Sequence, residues 1–354
     1  MAAASARFSF ARLQHPIVAA PLAGGPSTPA LATAVSGAGG LGFLAAGYRA
    51  PDDVRRDVAA LRDATGRAYG VGLFVPATSV AGPSEVQRYA ESLGEEASAY
   101  GVEPGPPRHD DDHWDAKLDL VAAERVPVVS FTFGCPAAGV VDRLHEAGCA
   151  VWVTVTTVPE AVAATGVGAD AFVVQGVEAG GHRGSFDLAE PGDVGLLALL
   201  QLVTAAVPTP VVASGGLMTG RAVAAVIAAG AAAAQLGTAF MLCPEAGTSA
   251  AHRAALGESG ATALTRAFSG RTARGLVNRF LRRHGANAPA AYPEVHHVTA
   301  PIRAAARARN DREALNLWAG QAHALAREVP AARLVAELAD EARATLRAVS
   351  AAVQ

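Results

Sequence analysis

Aromatic residues make up only 5% of this 354-residue chain, and three cysteines, Cys135, Cys149 and Cys243, are all it has. With so few rings, a core drawn from the 51% hydrophobic residues must pack mainly through aliphatic side chains. The cysteines are odd in number and show no CxxC or metal-type spacing. That excludes a disulfide framework or thiolate metal centre and points to free thiols in a reducing compartment. A charge of one sign is missing as well, since the net charge is -3 with acidic and basic residues interspersed. No field exists for nucleic acid or a membrane surface, and neither partner is expected. The opening MAAASARFSFARLQHP lacks the long apolar core of a secretory signal, so a cytoplasmic location is expected.

What the chain does have is a rhythm. Short aliphatic runs alternate with helical patterns about every thirty residues, the pattern of βα units. Eight strands are predicted: Ile17–Ala20, Leu41–Leu44, Gly70–Phe74, Pro127–Phe131, Ala150–Val155, Ala171–Val174, Pro210–Ser214 and Ala233–Leu236. Helices are predicted between them at Ser27–Ala38, Ala137–Ala147 and Pro159–Ala164. Eight such units close a parallel (β/α)8 barrel. An open doubly wound sheet fits less well, because no GxGxxG follows the first strand and polar, glycine-rich turns follow several different strands. The uncharged stretch from Ala222 to Leu242 is long enough to span a membrane, but its alanine content and Gly230 make it a buried helix handing over to a core strand.

Two stretches break the rhythm. Residues 76–113 carry GVEPGPPRHDDD and read as a helix followed by a polar lid or linker, with Asp110–Asp112 as a solvated loop and not a metal site. After Cys243 the alternation stops. The expected organisation is therefore a barrel over residues 1–243 and a smaller, mainly helical cap or packing region over 244–354, with the last helix covering an oligomer interface as the alternative.

Two segments carry chemistry. In GADAFVVQGVEAGGHRG, Gln175 follows a buried strand, and Gly180-Gly181 bring the backbone close to a flat or anionic ligand before the imidazole of His182 is presented. In PVVASGGLMTGRAVAAVIAAGAAAAQLGTAF, the seventh and eighth strands end in Ser214-Gly215-Gly216 and Gly237-Thr238. The loops after these two strands of a barrel commonly bind phosphate through exposed N–H groups, which makes Gly216, Gly237 and Thr238 phosphate ligands. Weaker candidates are His296 and His297, read as a satisfied surface pair with a reach over the barrel mouth as the alternative, Tyr292 as a residue shaping the pocket, His113 and Trp114 at the start of a helix that closes a lid, and Cys135 just after the fourth strand.

These residues sit in longer matching stretches: PIVAAPLAGGPSTPALATAVSGAGGLGFLAAGY, VVSFTFGCP, AGGHRG, LGTAF, FSGRTARGLVNRF and LWAGQ. Over nearly its whole length the chain resembles the nitronate monooxygenases, FMN enzymes formerly called 2-nitropropane dioxygenases. Related enoyl-acyl-carrier-protein reductases and flavin quinone reductases share much of the pattern. The resemblance implies FMN, with Ala20, Pro21 and Leu22 on the isoalloxazine face and Gln175 hydrogen-bonded to the flavin. It places Gly180 and Gly181 beside the cofactor, and Ser214, Gly215, Gly216, Gly237 and Thr238 around the phosphate. His182 would be the catalytic base, or would orient a substrate that arrives already as the nitronate anion. The implied substrates are a nitronate or nitroalkane and dioxygen, giving a carbonyl compound and nitrite; the alternative is hydride transfer from a nicotinamide to a quinone or enoyl thioester. No metal is expected, and a monomer or homodimer is. One departure is Gly72, where the family usually has Asn, which suggests a missing polar contact at the flavin or substrate.

Overall fold

The computed structural model describes residues 7–258 and 260–353; the first six residues of the amino-terminal segment weighed as a secretory signal lie outside it. Each predicted barrel strand forms, shifted by no more than a residue or so at its ends: β1 Ile17–Ala19, β2 Gly42–Ala45, β3 Tyr69–Phe74, β4 Val128–Thr132, β5 Ala150–Val155 and β6 Ala171–Gln175. A two-residue strand, β7 Gly181–His182, follows, and then β8 Val211–Ser214 and β9 Ala233–Leu236. Eight of these pair in parallel in the order β1-β9-β8-β6-β5-β4-β3-β2. A parallel bridge between Val18 and Leu41 joins β1 to the start of β2 and closes the barrel.

The apolar runs follow from burial on both faces. Inside the barrel, Val18, Phe43, Val128, Trp152, Val173 and Val212 form one cluster. Its amino-terminal end is sealed by Phe10, stacked 5.3 Å from Trp152, with Phe8 edge-on at 5.8 Å. Outside, the strands pack on helices such as Pro29–Gly37, capped by Thr28 and started by a proline, and Val158–Gly166, where Thr157 and Glu160 form a capping box. The segment from Ala222 to Leu242 is the helix Gly220–Ala228, then β9 and a short turn of 3-10 helix. No helix among the described residues is long and apolar enough to cross a membrane.

Packing divides the chain differently from a cut at residue 243. The last helix, Ala331–Ala352, buries Leu334, Val335 and Leu338 in the same cluster as the barrel helices, lying against Gly220–Ala228 and Pro29–Gly37. The 76–113 insertion, by contrast, contributes Val86, Tyr89, Leu93 and Tyr100 to a second cluster with Phe268, Phe280, Val295 and Ile302. Nor is the carboxyl-terminal region purely helical. β10 Thr262–Thr265 and β11 Ala273–Leu276 form an antiparallel hairpin, and β7 adds to its free edge.

The docking of the last helix depends on Gly220. A Cβ there would stand 2.4 Å from the Leu338 carbonyl oxygen and 2.5 Å from Glu341 Cβ, and its N–H donates to Glu341 Oε2 at 2.7 Å. Gly220→Val is therefore expected to lower stability by about 1–3 kcal/mol, as overpacking does. Urea denaturation measures this; a wild-type midpoint would mean that the helix does not dock as described.

Candidate active site

The carboxyl ends of the strands open on a cavity of about 660 Å³. That is the size of a small-molecule or cofactor pocket. Ala20, Pro21 and Leu22 line it from β1, Gln175 from β6, Gly180, Gly181 and His182 from the following loop and β7, Ser214, Gly215 and Gly216 from β8, and Gly237 and Thr238 from β9. Parallel topology brings these positions to one end of the barrel although 218 residues of sequence separate the first from the last.

His182 reaches its place through backbone pairing. Ala273 and Arg274 of β11 lie opposite His182 and Gly181, and Arg183 continues the ladder by donating to the Thr272 carbonyl at 2.8 Å. The Gln175 amide braces the same loop: its Nε2 donates to the His182 carbonyl at 3.0 Å, and its Oε1 accepts from Gly184 at 2.8 Å. Gln175 therefore has one amide N–H left for any ligand, and its main task is to hold the histidine loop. The buried Arg183 guanidinium adds bonds to the carbonyls of Gln175 and Gly176 at 3.0 and 2.7 Å.

The imidazole meets Phe133, Tyr292 and Trp318, with ring centroids 5.3–6.0 Å away. Its Nε2 lies 2.8 Å from Ser269 Oγ, which is also 3.2 Å from the Arg271 carbonyl, so one hydroxyl proton serves either the ring or that carbonyl. Burial, reinforced by the guanidinium groups of Arg271 and Arg303, pushes His182 down to about 3. The ring is neutral at working pH, as a base must be, but far weaker than a base matched to that pH. Phe133 holds its ring there from a backbone at φ 80°, an outlier for a bulky residue, with the Arg271 guanidinium 4.1 Å over its other face.

The glycine turns meet the geometric requirement for anion contact. Gly215 and Gly216 take φ 128° and 67°, the positive-φ region that favours glycine, and a Cβ on Gly216 would crowd Glu178 Cβ at 3.2 Å. No hydrogen bond from the N–H of Gly216 or Gly237 is found among the described residues. Gly180 serves packing instead, since a Cβ would stand 2.5 Å from the Ala319 carbonyl carbon. Thr238 Oγ1 already accepts from Gly320 at 3.0 Å and keeps its hydroxyl proton.

Several lining residues escape a reading of local pattern. Gln235 on β9 is buried with an Oε1 that has no partner, and it lies within the quoted LGTAF stretch's own strand. Trp318 and Gly320 come from LWAGQ, a motif that was visible but had no strand to place it. Arg303, buried and without a carboxylate partner, and Arg307, one turn away, reach the cavity from the helix Glu294–Ala308. No aspartate or glutamate is among the lining residues.

Other expectations change. His296 is no surface residue: it lines the cavity, stacked on Tyr48 at 4.3 Å, and burial pushes it down to about 2. His297 pairs with Asp110 at 2.7 Å. Asp112 is no solvated loop residue either, since its carboxylate accepts from the Tyr48 N–H and pairs with the buried Lys117 at 2.8 Å. Trp114 opens the helix Trp114–Ala123, as expected, and its ring packs on Phe131, while Cys135 does not line the cavity. At Gly72 a Cβ would lie 2.6 Å from Pro21 Cβ, so an asparagine in this chain would require the Pro21 ring to shift.

His182, His252 and His296 are held near 3, 4 and 2 by burial. Each stays neutral in the fold and gains a proton in the unfolded chain below about 6.5. The unfolded state then binds more protons, so stability falls as pH drops from about 6.5 toward these values. Urea midpoints measured from pH 7 to pH 4 should decline steadily, and less steeply in His252→Gln; a flat profile would contradict the burial of all three rings.

The comparisons with known proteins agree with this architecture. A family model described as nitronate monooxygenase matches residues 5–341. A nitronate monooxygenase of Pseudomonas aeruginosa is 42% identical over 345 residues, covering 94% of this chain and 97% of the relative, and one from Paraburkholderia phytofirmans is 39% identical, covering 94% of each. Among solved structures, a nitroalkane oxidase from Streptomyces ansochromogenes is 50% identical, with a TM-score of 0.93 over 96% of this chain and 99% of that one. FabK from Thermotoga maritima, at 26% identity, superposes with a TM-score of 0.76 over 97% of both chains. With the matched region spanning the barrel, the cavity and the first half of the last helix, the chain belongs to the nitronate monooxygenase family.

Proposed function

We propose that the cavity binds FMN and that the protein oxidises alkyl nitronates with dioxygen to a carbonyl compound and nitrite. The observation that carries this reading is the charge of the site: arginines and neutral histidines line it, and no carboxylate does. An anionic cofactor tail and an anionic substrate both suit such a lining. The unpartnered N–H groups of Gly216 and Gly237 and the free hydroxyl proton of Thr238 support a phosphate there. Ala20, Pro21 and Leu22 offer an apolar face, and the orphaned Gln235 amide offers a polar contact to a flat ring system. When bound, the flavin supplies electron transfer between substrate carbon and dioxygen.

The chain's own contribution is to bind, orient and exclude water. His182, neutral and weakly basic, is suited to orient a nitronate that arrives without its carbon proton, more than to remove that proton from a neutral nitroalkane. Arg271 and Arg303 set a positive field around it, and Phe133, Tyr292 and Trp318 keep the surroundings dry. Low local dielectric strengthens each polar contact made there.

Two measurements test the reading. Gly216→Val forces a side chain into a left-handed turn and across the amide, so the purified variant should release FMN on filtration; full FMN content would move the phosphate site elsewhere. His182→Asn should lower kcat/KM for preformed propyl nitronate by about ten- to a hundredfold, the worth of a hydrogen bond to a charged group. A loss confined to neutral nitroalkanes would instead identify His182 as the proton-abstracting base.

A further inference from the structure

We propose that the stacked rings of Tyr48 and His296 form the end wall of the substrate pocket and set how long an alkyl chain the site accepts. This rests on the nitronate reading above for the identity of the reacting group, but not for the wall itself. Behind the two rings lies a second cavity of about 350 Å³. Tyr48, Phe74 and His296 are the residues that line both spaces. The Tyr48 and His296 rings are parallel within 1° at 4.3 Å, and Phe74 closes on Tyr48 edge-on at 5.4 Å. Phe133 touches both His182, at 5.6 Å, and Phe74, at 4.5 Å, so the wall stands one ring beyond the reacting position.

The wall is pinned from several elements. Tyr48 sits at φ 66°, a left-handed backbone that a tyrosine adopts only when its surroundings impose it. Its N–H donates to Asp112 Oδ1 at 3.0 Å, and its hydroxyl accepts from that of Tyr292 at 3.1 Å. Arg303 Nη2 donates to the His296 carbonyl at 2.7 Å and faces its Nδ1 at 3.3 Å, which fixes the ring as a neutral acceptor. A partition held this way does not swing aside for a longer chain.

The space behind it could take one. Phe74, Val75, Pro76 and Pro293 give it apolar surface. Of its charged groups, Asp112 pairs with Lys117 at 2.8 Å, Asp110 with His297 at 2.7 Å and with Arg108 at 3.6 Å, and Arg49 with Asp57, while Asp111 accepts from the His113 N–H. With FMN filling much of the larger cavity, short nitronates fit in front of the wall and longer ones do not.

His296→Ala should join the two cavities. On FMN-loaded protein, unreactive n-alkyl carboxylates from butanoate to decanoate are titrated by their perturbation of the flavin spectrum, alongside kcat/KM for propyl, hexyl and octyl nitronates. In the wild type, affinity should stop rising at intermediate length. In His296→Ala it should keep rising, by about fourfold for each added methylene, and octyl nitronate should gain relative to propyl. Phe74→Ala opens the wall from β3 and carries the test should His296→Ala fold poorly. The proposal is overturned if either folded variant keeps the wild-type chain-length profile, or if wild-type affinity itself climbs through decanoate. Absence of nitronate turnover in the wild type, with the carboxylate profiles still separated, would strike the nitronate reading and leave the wall standing.

Discussion

Two residues of backbone pairing, Gly181 and His182 against Arg274 and Ala273, hold the rest of the site in register. A loop leaving a barrel strand is ordinarily free to move, because its carbonyl and N–H groups can turn to water. Here the loop after β6 becomes the third strand of a sheet whose other two strands come from 80 or more residues later in the chain. Gln175 and Arg183 then tie that short strand back to the barrel through the carbonyls of His182, Gln175 and Gly176. The imidazole is thereby fixed between two packing units, and the cavity exists because those units are stitched together across it.

The electrostatics follow from the same arrangement. Buried guanidinium groups are costly unless their hydrogen bonds are met. Arg183 and Arg271 meet only part of that demand with carbonyl oxygens, through Nη1, Arg271 bonding the Ser185 carbonyl at 2.9 Å; Nε and Nη2 of both have no hydrogen-bond partner among the described residues. Carbonyl dipoles do not cancel the charge, so the field persists in the cavity. Burial first, and that field second, keeps the neighbouring histidines neutral. A site with positive field and neutral rings favours an anion that brings its own charge over a neutral carbon acid that must surrender a proton.

Shape is set by how distant residues meet. Pro21 lies so close to Gly72 that a side chain there would require the barrel mouth to shift. Tyr48 and His296, 248 positions apart, meet in one stack and bound the aromatic end of the cavity. Both depend on the helix Glu294–Ala308 lying over the strand ends, where the insertion's helices pack against it.

The sequence by itself determined the barrel and which end of it does chemistry. Ile17–Ala19, Val128–Thr132 and Val211–Ser214 are buried on both faces, which writes a continuous apolar run into the chain, and a polar or glycine-rich turn then marks each carboxyl end. All twelve residues singled out at those ends line one cavity, because parallel strands point their ends the same way. The tertiary structure alone decided that the last helix belongs with the barrel and the 76–113 insertion with the second cluster. It alone decided that β7 completes a hairpin from beyond residue 260, and that His296 is a wall and not a surface residue. These include contacts between positions about 300 residues apart, as between Pro29–Gly37 and Ala331–Ala352. Local pattern records whether a side chain is to be buried, but not which distant surface buries it.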